Sequence, residues 1–153
     1  MAEPAPAPPV LRPLEAGDFA KGFMELLAQL TVVGECDEAA FLERLAELQA
    51  RPETYRVLVL EDAARARIVG AATLLIELKF IRGCARCGHV EDVVVDAGCR
   101  GQRLGLRLVE ACVAEAKAAG CYKVILDCSE ANAGFYARAG LERKEVQMVK
   151  YLV

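Results

Sequence analysis

The sequence predicts a single mixed α/β domain (α+β, one mixed sheet) with elements in the order ααβββαβαβ, and three observations carry this. Two amphipathic helical stripes occupy residues 15–52. Three runs of strand pattern follow between residues 56 and 95, and a further helical stripe separates the last of them from another strand. A helix crossing between two strands of one sheet makes them parallel, so the sheet combines an antiparallel meander with one parallel pair. The chain has 153 residues, 55% hydrophobic and 27% charged, which suits one globular domain with a full core.

Residues 1–9, within MAEPAPAPPV, are Ala/Pro-rich, without a basic start or an apolar h-region; they read as a disordered or extended leader, with the domain spanning 10–153. In EAGDFAKGFMELLAQL (15–30), Phe19, Phe23, Leu26, Leu27 and Leu30 recur at helical spacing, with Asp18 near the start. In DEAAFLERLAELQARP (37–52), Asp37 is the predicted N-cap, Phe41, Leu42, Leu45 and Leu48 form the stripe, and Pro52 lies beyond the end. RVLVLE (56–61), IVGAATLLIELKFI (68–81) and HVEDVVV (89–95) read as the meander strands. Leu104, Leu108, Val109, Cys112, Val113 and Ala116 make the next helical stripe, stopped by Gly120. CYKVILDC (121–128) is a strand, ANAGFYARAG (131–140) a short helix closed by Gly140, and EVQMVKYLV the predicted final strand.

Composition excludes several function classes. A net charge of −3 offers no global attraction for nucleic acid or an anionic membrane, so neither is an expected partner. The longest apolar or glycine run, IVGAATLLI (68–76), is too short to span a bilayer. The seven cysteines (36, 84, 87, 99, 112, 121 and 128) are odd in number and scattered through apolar patterns, as expected of reduced thiols in a cytoplasmic protein.

Four stretches carry candidate chemistry. In VVVDAGCRGQRLGLRL, a glycine-bearing turn feeds a helix N-terminus, where free backbone N–H groups and the helix dipole favour an anion such as phosphate. Arg100, Arg103 and Arg107 add positive charge there; a plain solvated basic helix start is the alternative. In CARCGHVED, Cys84, Cys87 and His89 make at most a partial zinc set, and the C-x-x-C lies between strand patterns rather than at a helix start, so a structural hairpin is the favoured reading. Glu91 and Asp92 are adjacent acids that a regular strand would point to opposite faces, flanked by valines that make plain solvation uncomfortable. Asp127 ends an apolar strand, as either a functional group or a cap for the next helix, and Tyr136 in NAGFYARAG is either a core or a catalytic phenol.

Together, LAQLTVVGE, GHVEDVVVD, CRGQRLGLRLVE and GCYKVILDCSEANAGFYARAG resemble the GNAT N-acetyltransferase superfamily and, within it, the small glucosamine 6-phosphate N-acetyltransferases, from about Leu11 to the C-terminus. The loop matches the acyl-CoA pattern Q/R-x-x-G-x-G/A at Arg100 and Gly105, with Arg103 where the middle glycine usually stands. The resemblance implies the GNAT fold with a bulge in the Glu91–Asp92 strand, and transfer of acetyl from acetyl-CoA to the amine of D-glucosamine 6-phosphate. It implies direct attack in a ternary complex, no metal, and an intertwined homodimer.

By the same resemblance, Arg100, Gly101, Gln102, Arg103, Leu104, Gly105 and Leu106 bind the CoA pyrophosphate, and backbone groups of Val93, Val94 and Val95 hold acetyl-CoA and polarise its carbonyl. Asn132 lies against the CoA arm and Tyr136 beside its sulfur. Glu91, Asp92, Val93, Asp127 and Cys128 meet the sugar; Thr31, Lys79, Phe80, Ile81 and Arg82 are the other sugar- and phosphate-binding positions. The catalytic set is then Glu91, Asp127 and Tyr136; at the C-terminus, either Lys150 takes the part of the basic residue that reaches the partner subunit's phosphate, or the position, aligned to Tyr151, has lost it. The alternatives are the same fold acting on a polyamine or protein N-terminus, and a non-catalytic zinc- or acyl-CoA-binding module.

Overall fold

The computed structural model describes residues 7–153, so residues 1–6 of the expected leader lie outside the described residues. Its centre is a five-stranded sheet in the order β1-β2-β3-β4-β5: β1 (Val10–Pro13), β2 (Tyr55–Asp62), β3 (Arg67–Leu78), β4 (Arg86–Val95) and β5 (Cys121–Ile125). The first four strands pair antiparallel, whereas β4 and β5 are parallel, as the crossing helix requires. That helix, α4 (Leu104–Ala118), packs Leu104, Leu108, Cys112 and Ala116 onto Leu60, Leu74, Ile76 and Val90. The opposite face carries α1 (Phe23–Leu27) and α2 (Glu38–Gln49), whose Phe23, Leu26, Phe41 and Leu45 pack with Val59, Ile68, Ala71 and Val94. The alternation Leu58-Val59-Leu60 feeds the two cores in turn, which is the strand period at work.

The predicted elements mostly form, and the departures have local causes. Asp37 caps α2, its side chain accepting from the Ala40 N–H at 2.9 Å. The helix predicted over 15–30 is instead a single 3-10 turn (Ala16–Asp18) followed by the short α1, because Gly22 adopts a left-handed φ of 82° between them. Asp18 caps no long helix: it is buried, bonded to both terminal nitrogens of Arg12 at 2.7 and 2.8 Å. β1 lacks any counterpart among the predicted elements; four residues ending in Pro13 offer little periodicity, and the strand exists because β2 presents an edge to it.

The cysteine segment divides. Ile81–Cys84 forms a single turn, α3, broken by left-handed Arg82 (φ 54°) and Gly83 (φ 69°), with Cys84 exposed. Cys87, by contrast, is not in the turn but lies inside β4 and is fully buried. After α5 (Glu130–Ala137), closed by Gly140 at φ 83°, the predicted final strand does not form. A strand needs a partner edge, and residues 141–153 pair with none among the described residues, leaving Val146, Met148, Val149, Tyr151 and Leu152 exposed. Among the described residues no helix is long and apolar enough to cross a membrane.

Candidate active site

The site begins where two parallel strands part. β4 pairs with β5 only from Arg86 to His89; from Val90 onward its β5-facing edge is open. On its other side β4 remains paired with β3, but the register slips: Glu91 faces Thr73 and Val94 faces Ala71, so β4 spends one residue more than β3. That extra residue is a β-bulge, and Asp92 within it takes φ 51°, left-handed for a non-glycine residue. The bulge cancels the normal alternation. Glu91 and Asp92 are both exposed while Val90 and Val94 on either side are buried. Two adjacent carboxylates and the backbone of Val93–Val95 thus meet at one cleft, and unpaired strand N–H groups there can receive a ligand carbonyl.

Among the described residues, no ion pair joins the acids of the cleft to a cation. Partial desolvation, followed by the neighbouring charges of Asp92 and Asp127, pushes the Glu91 carboxyl above its ordinary value. Asp127 lies just past the end of β5, exposed, and accepts from Gln147 Nε2 at 2.9 Å. It does not cap α5, whose N-cap is Ser129. Cys128 beside it is exposed. Tyr136, on α5, is half-buried edge-on to Phe135, with ring centroids 4.9 Å apart. Burial and then Cys128 push its phenol up, so at neutral pH it is a proton donor.

Next to the cleft is the loop that enters α4. Asp96 is buried at its start, accepting from the Gly98 N–H at 2.9 Å and from Arg67 at 2.8 Å. Arg103 is the N-cap of α4 at φ 59° and so adopts the backbone conformation that a glycine would take most cheaply. Gly105 has a different reason: a Cβ there would lie 3.0 Å from the Phe135 ring, so α4 and α5 approach closely only across a glycine. Arg103, Leu106, Phe135 and Arg138 line a cavity of about 380 Å³ over this helix start. Arg100, Gly101 and Gln102 are exposed on the loop, and Asn132 is exposed on the first turns of α5. Arg107 is spent elsewhere, donating to the Pro9 carbonyl at 2.6 Å. A helix start with free N–H groups beside Arg100, Arg103 and Arg138 can hold a polyphosphate.

A second cavity, of about 190 Å³, lies on the other side of the bulge, lined by Met24, Leu27, Leu30, Thr31, Val32, Val33 and Asp92. It brings Thr31 and Asp92 together. The run Lys79-Phe80-Ile81-Arg82 is elsewhere: Lys79 N bonds Ala85 O at the far end of the β3–β4 hairpin. Six residues of strand separate Ala85 from Glu91, about 20 Å at the usual rise. Lys79 there bonds Glu77 at 2.8 Å, Arg82 stacks over Tyr122 at 4.9 Å, and Phe80 is 95% exposed. Lys150 and Tyr151 lie in the exposed tail. One chain therefore gathers Thr31, the β4 bulge, Asp127, Cys128, Tyr136 and the α4 loop, and leaves 79–82, Lys150 and Tyr151 outside that cluster.

Two residues that sequence reasoning missed join the site. Gln29 donates to Asp96 Oδ2 and accepts from the Ala97 N–H, both at 2.9 Å, tying the segment before Thr31 to the root of the α4 loop. Nothing local marks it; a glutamine at a helix end is ordinary. Arg138 carried a weak signal, a basic residue two positions beyond Tyr136.

The profile of the Acetyltransferase (GNAT) family matches residues 21–141. Among curated proteins, the chain is 50% identical over 141 residues to glucosamine 6-phosphate N-acetyltransferase 1 of Oryza sativa subsp. japonica, covering 92% of this chain and 86% of that one. It is 46% identical to glucosamine 6-phosphate N-acetyltransferase 1 of Dictyostelium discoideum, covering 92% and 89%. Among solved structures it is similar to glucosamine-6-phosphate N-acetyltransferase from Arabidopsis thaliana, with TM-score 0.92, 42% identity, and 94% and 98% of the two chains covered.

Proposed function

Because the chain belongs to the GNAT acetyltransferase family, we propose that it transfers acetyl from acetyl-CoA to the amine of D-glucosamine 6-phosphate, giving N-acetyl-D-glucosamine 6-phosphate and CoA. The observation that carries this reading is the parting of β4 from β5 after His89, with a bulge that turns Glu91 and Asp92 into the gap beside the α4 helix start. Acyl-CoA takes the gap, its pyrophosphate on the N–H groups of residues 101–106 and its pantetheine arm along the open edge of Val93–Val95, near Asn132. The sugar takes the opposite side, with Thr31, Asp92, Val93, Asp127 and Cys128 around it.

The chemistry then needs few parts. The neutral amine attacks the thioester carbonyl, whose developing oxyanion is met by a β4 backbone N–H. Glu91, with its raised pKa, and Asp127 orient the amine and accept its proton. Tyr136, kept protonated by burial, gives a proton to the departing thiolate. Holding both reactants in one cleft supplies much of the acceleration.

The phosphate-binding part of the reading requires a second copy. Lys79 and Arg82 lie about 20 Å along β4 from Glu91, and Lys150 lies in a tail whose apolar residues are uncovered. An intertwined homodimer covers that tail and brings cations from one subunit to the other's sugar. The seven free cysteines fit a cytoplasmic location, and the product suits UDP-N-acetylglucosamine synthesis.

The test is CoA release from acetyl-CoA with glucosamine 6-phosphate, compared with glucosamine, spermidine and a short peptide. A strong preference for the phosphosugar is expected. Turnover only with another amine would retain the acyl-CoA half of the reading and overturn the acceptor. For the dimer, sedimentation of the full chain against one ending at residue 144 is expected to show loss of the dimer.

A further inference from the structure

We propose that Glu77, Cys87 and His89 form a binding site for a thiophilic divalent cation of the Zn²⁺ or Co²⁺ class, on the hairpin side of the acetyl-transfer cleft, which opens just past His89. Glu77 of β3 stands directly opposite Cys87 of β4, and His89 is two residues further along the same face of β4. One ligand atom from each, a carboxylate oxygen, Sγ and a ring nitrogen, all fall within 4.8 Å of one another. Glu77 Oε2 is 2.7 Å from His89 Nε2. Donors around a tetrahedral Zn²⁺ sit roughly 3.3–3.7 Å apart, so a cation enters by opening that contact by less than about 1 Å.

The chemistry of the set selects the metal. Thiolate, imidazole and carboxylate together favour Zn²⁺ or Co²⁺ over Mg²⁺ or Ca²⁺, which take oxygen ligands. Cys87 is fully buried and its thiol reaches only the Gly88 carbonyl, at 3.8 Å, so the thiol gives up no strong hydrogen bond, and the Glu77–His89 contact is the one exchanged for metal bonds. Lys79 holds the other Glu77 oxygen at 2.8 Å, the kind of outer contact that orients a ligating carboxylate. The Glu77 and His89 side chains remain 40% and 24% exposed, which leaves a path for the ion and room for water as fourth ligand. On binding, a metal–sulfur bond forms and the Cys87 thiol proton leaves to solvent.

This set differs from the one the local sequence suggests. Read as C-x-x-C-x-H, the segment offers Cys84 with Cys87, yet Cys84 is exposed on the turn and is not among the converging atoms. Strand pairing supplies Glu77 in its place, ten residues before Cys87.

The experiment uses full-length protein stripped with a chelator and titrated with Co²⁺, followed by thiolate-to-cobalt charge-transfer absorption, then with Zn²⁺ in competition. One equivalent of Co²⁺ with that absorption is expected, displaced by Zn²⁺. Cys87→Ser is expected to abolish it and Cys84→Ser to leave it. Glu77→Gln and His89→Gln, checked for folding by circular dichroism without metal, are expected to weaken affinity by about tenfold or more. Absence of the absorption at one equivalent, its survival in Cys87→Ser, its loss in Cys84→Ser, or unchanged affinity in both Glu77→Gln and His89→Gln would each overturn the site.

Discussion

Two acidic regions of this molecule use the same residue types to opposite ends. At the N-terminal edge of the sheet, Asp18 and Glu61 are met by Arg12 and Lys21: Arg12 reaches Asp18 at 2.7 Å and Glu61 at 2.6 Å, and Lys21 reaches Glu61 at 2.6 Å. At the β4–β5 gap, Glu91, Asp92 and Asp127 lie together with no ion pair to them among the described residues. The first group therefore titrates low. Burial alone would raise Asp18, but the bonds from Arg12 and from the Glu15 N–H outweigh it, and Lys21 and Arg12 hold Glu61 down likewise. In the second, Glu91 titrates high. A carboxylate paired on all sides is an anchor for structure, whereas one left among its own kind keeps its proton to a higher pH than a free carboxyl does.

The comparison breaks most sharply under mutation. Glu91→Gln is expected to lower kcat for acetyl transfer by about 10²–10⁴-fold, as loss of a general base does, with an unchanged melting temperature by calorimetry. An inactive and unfolded variant would instead put Glu91 with the structural acids. Asp18→Asn is the mirror image: it leaves Arg12 half-paired beside a buried amide and is expected to cost about 3 kcal/mol in denaturant unfolding. The kcat of the protein that remains folded should be unchanged.

A smaller effect is expected at Gly105. Gly105→Ala presses a methyl group onto Phe135 at 3.0 Å and should cost about 1–3 kcal/mol of overpacking. Because Phe135 also lines the cavity over the α4 start, KM for acetyl-CoA should rise more than KM for the sugar.

The pH responses sharpen the contrast. In the proposed mechanism Glu91 acts as the deprotonated form and its pKa is raised, so the acid limb of kcat/KM should fall at a pH above the ordinary glutamate value and move when Asp127→Asn removes a neighbouring charge. Asp18 has a depressed native pKa. Its contribution to stability is therefore present above the unfolded value of about 4 and is lost as pH falls through the lower native one. The smallest expected effect is at a cap: Asp37→Ala should destabilise by about 1 kcal/mol, with no change in any kinetic constant.

The legible parts of the fold were those with short-range causes. Asp37 before an apolar stripe, the α4 stripe ending at Gly120, and the alternation around Leu58–Leu60 each state their structure within a few residues. The α4 loop also carries its expectation locally, as a glycine-bearing helix start suited to an anion, whereas Glu91 and Asp92 alone would point to opposite faces of a regular strand and only the family resemblance implied the bulge that joins them. What misled was also local: Phe19 to Leu30 has helical spacing, yet Gly22 interrupts it, and EVQMVKYLV alternates like a strand but finds no edge in its own chain.

By itself, then, the sequence determined the order of the main elements, the parallel pair forced by a crossing helix, and which residue types stand ready around the α4 start. All of these follow from periodicity, capping and glycine stereochemistry, which act over one or two turns of chain. Tertiary structure alone decided that β1 exists, that β4 parts from β5 after His89, that Gln29 braces Asp96, and that Glu77 rather than Cys84 faces Cys87. Those outcomes depend on strand register and on which charges are desolvated together, and both are set by residues tens of positions apart.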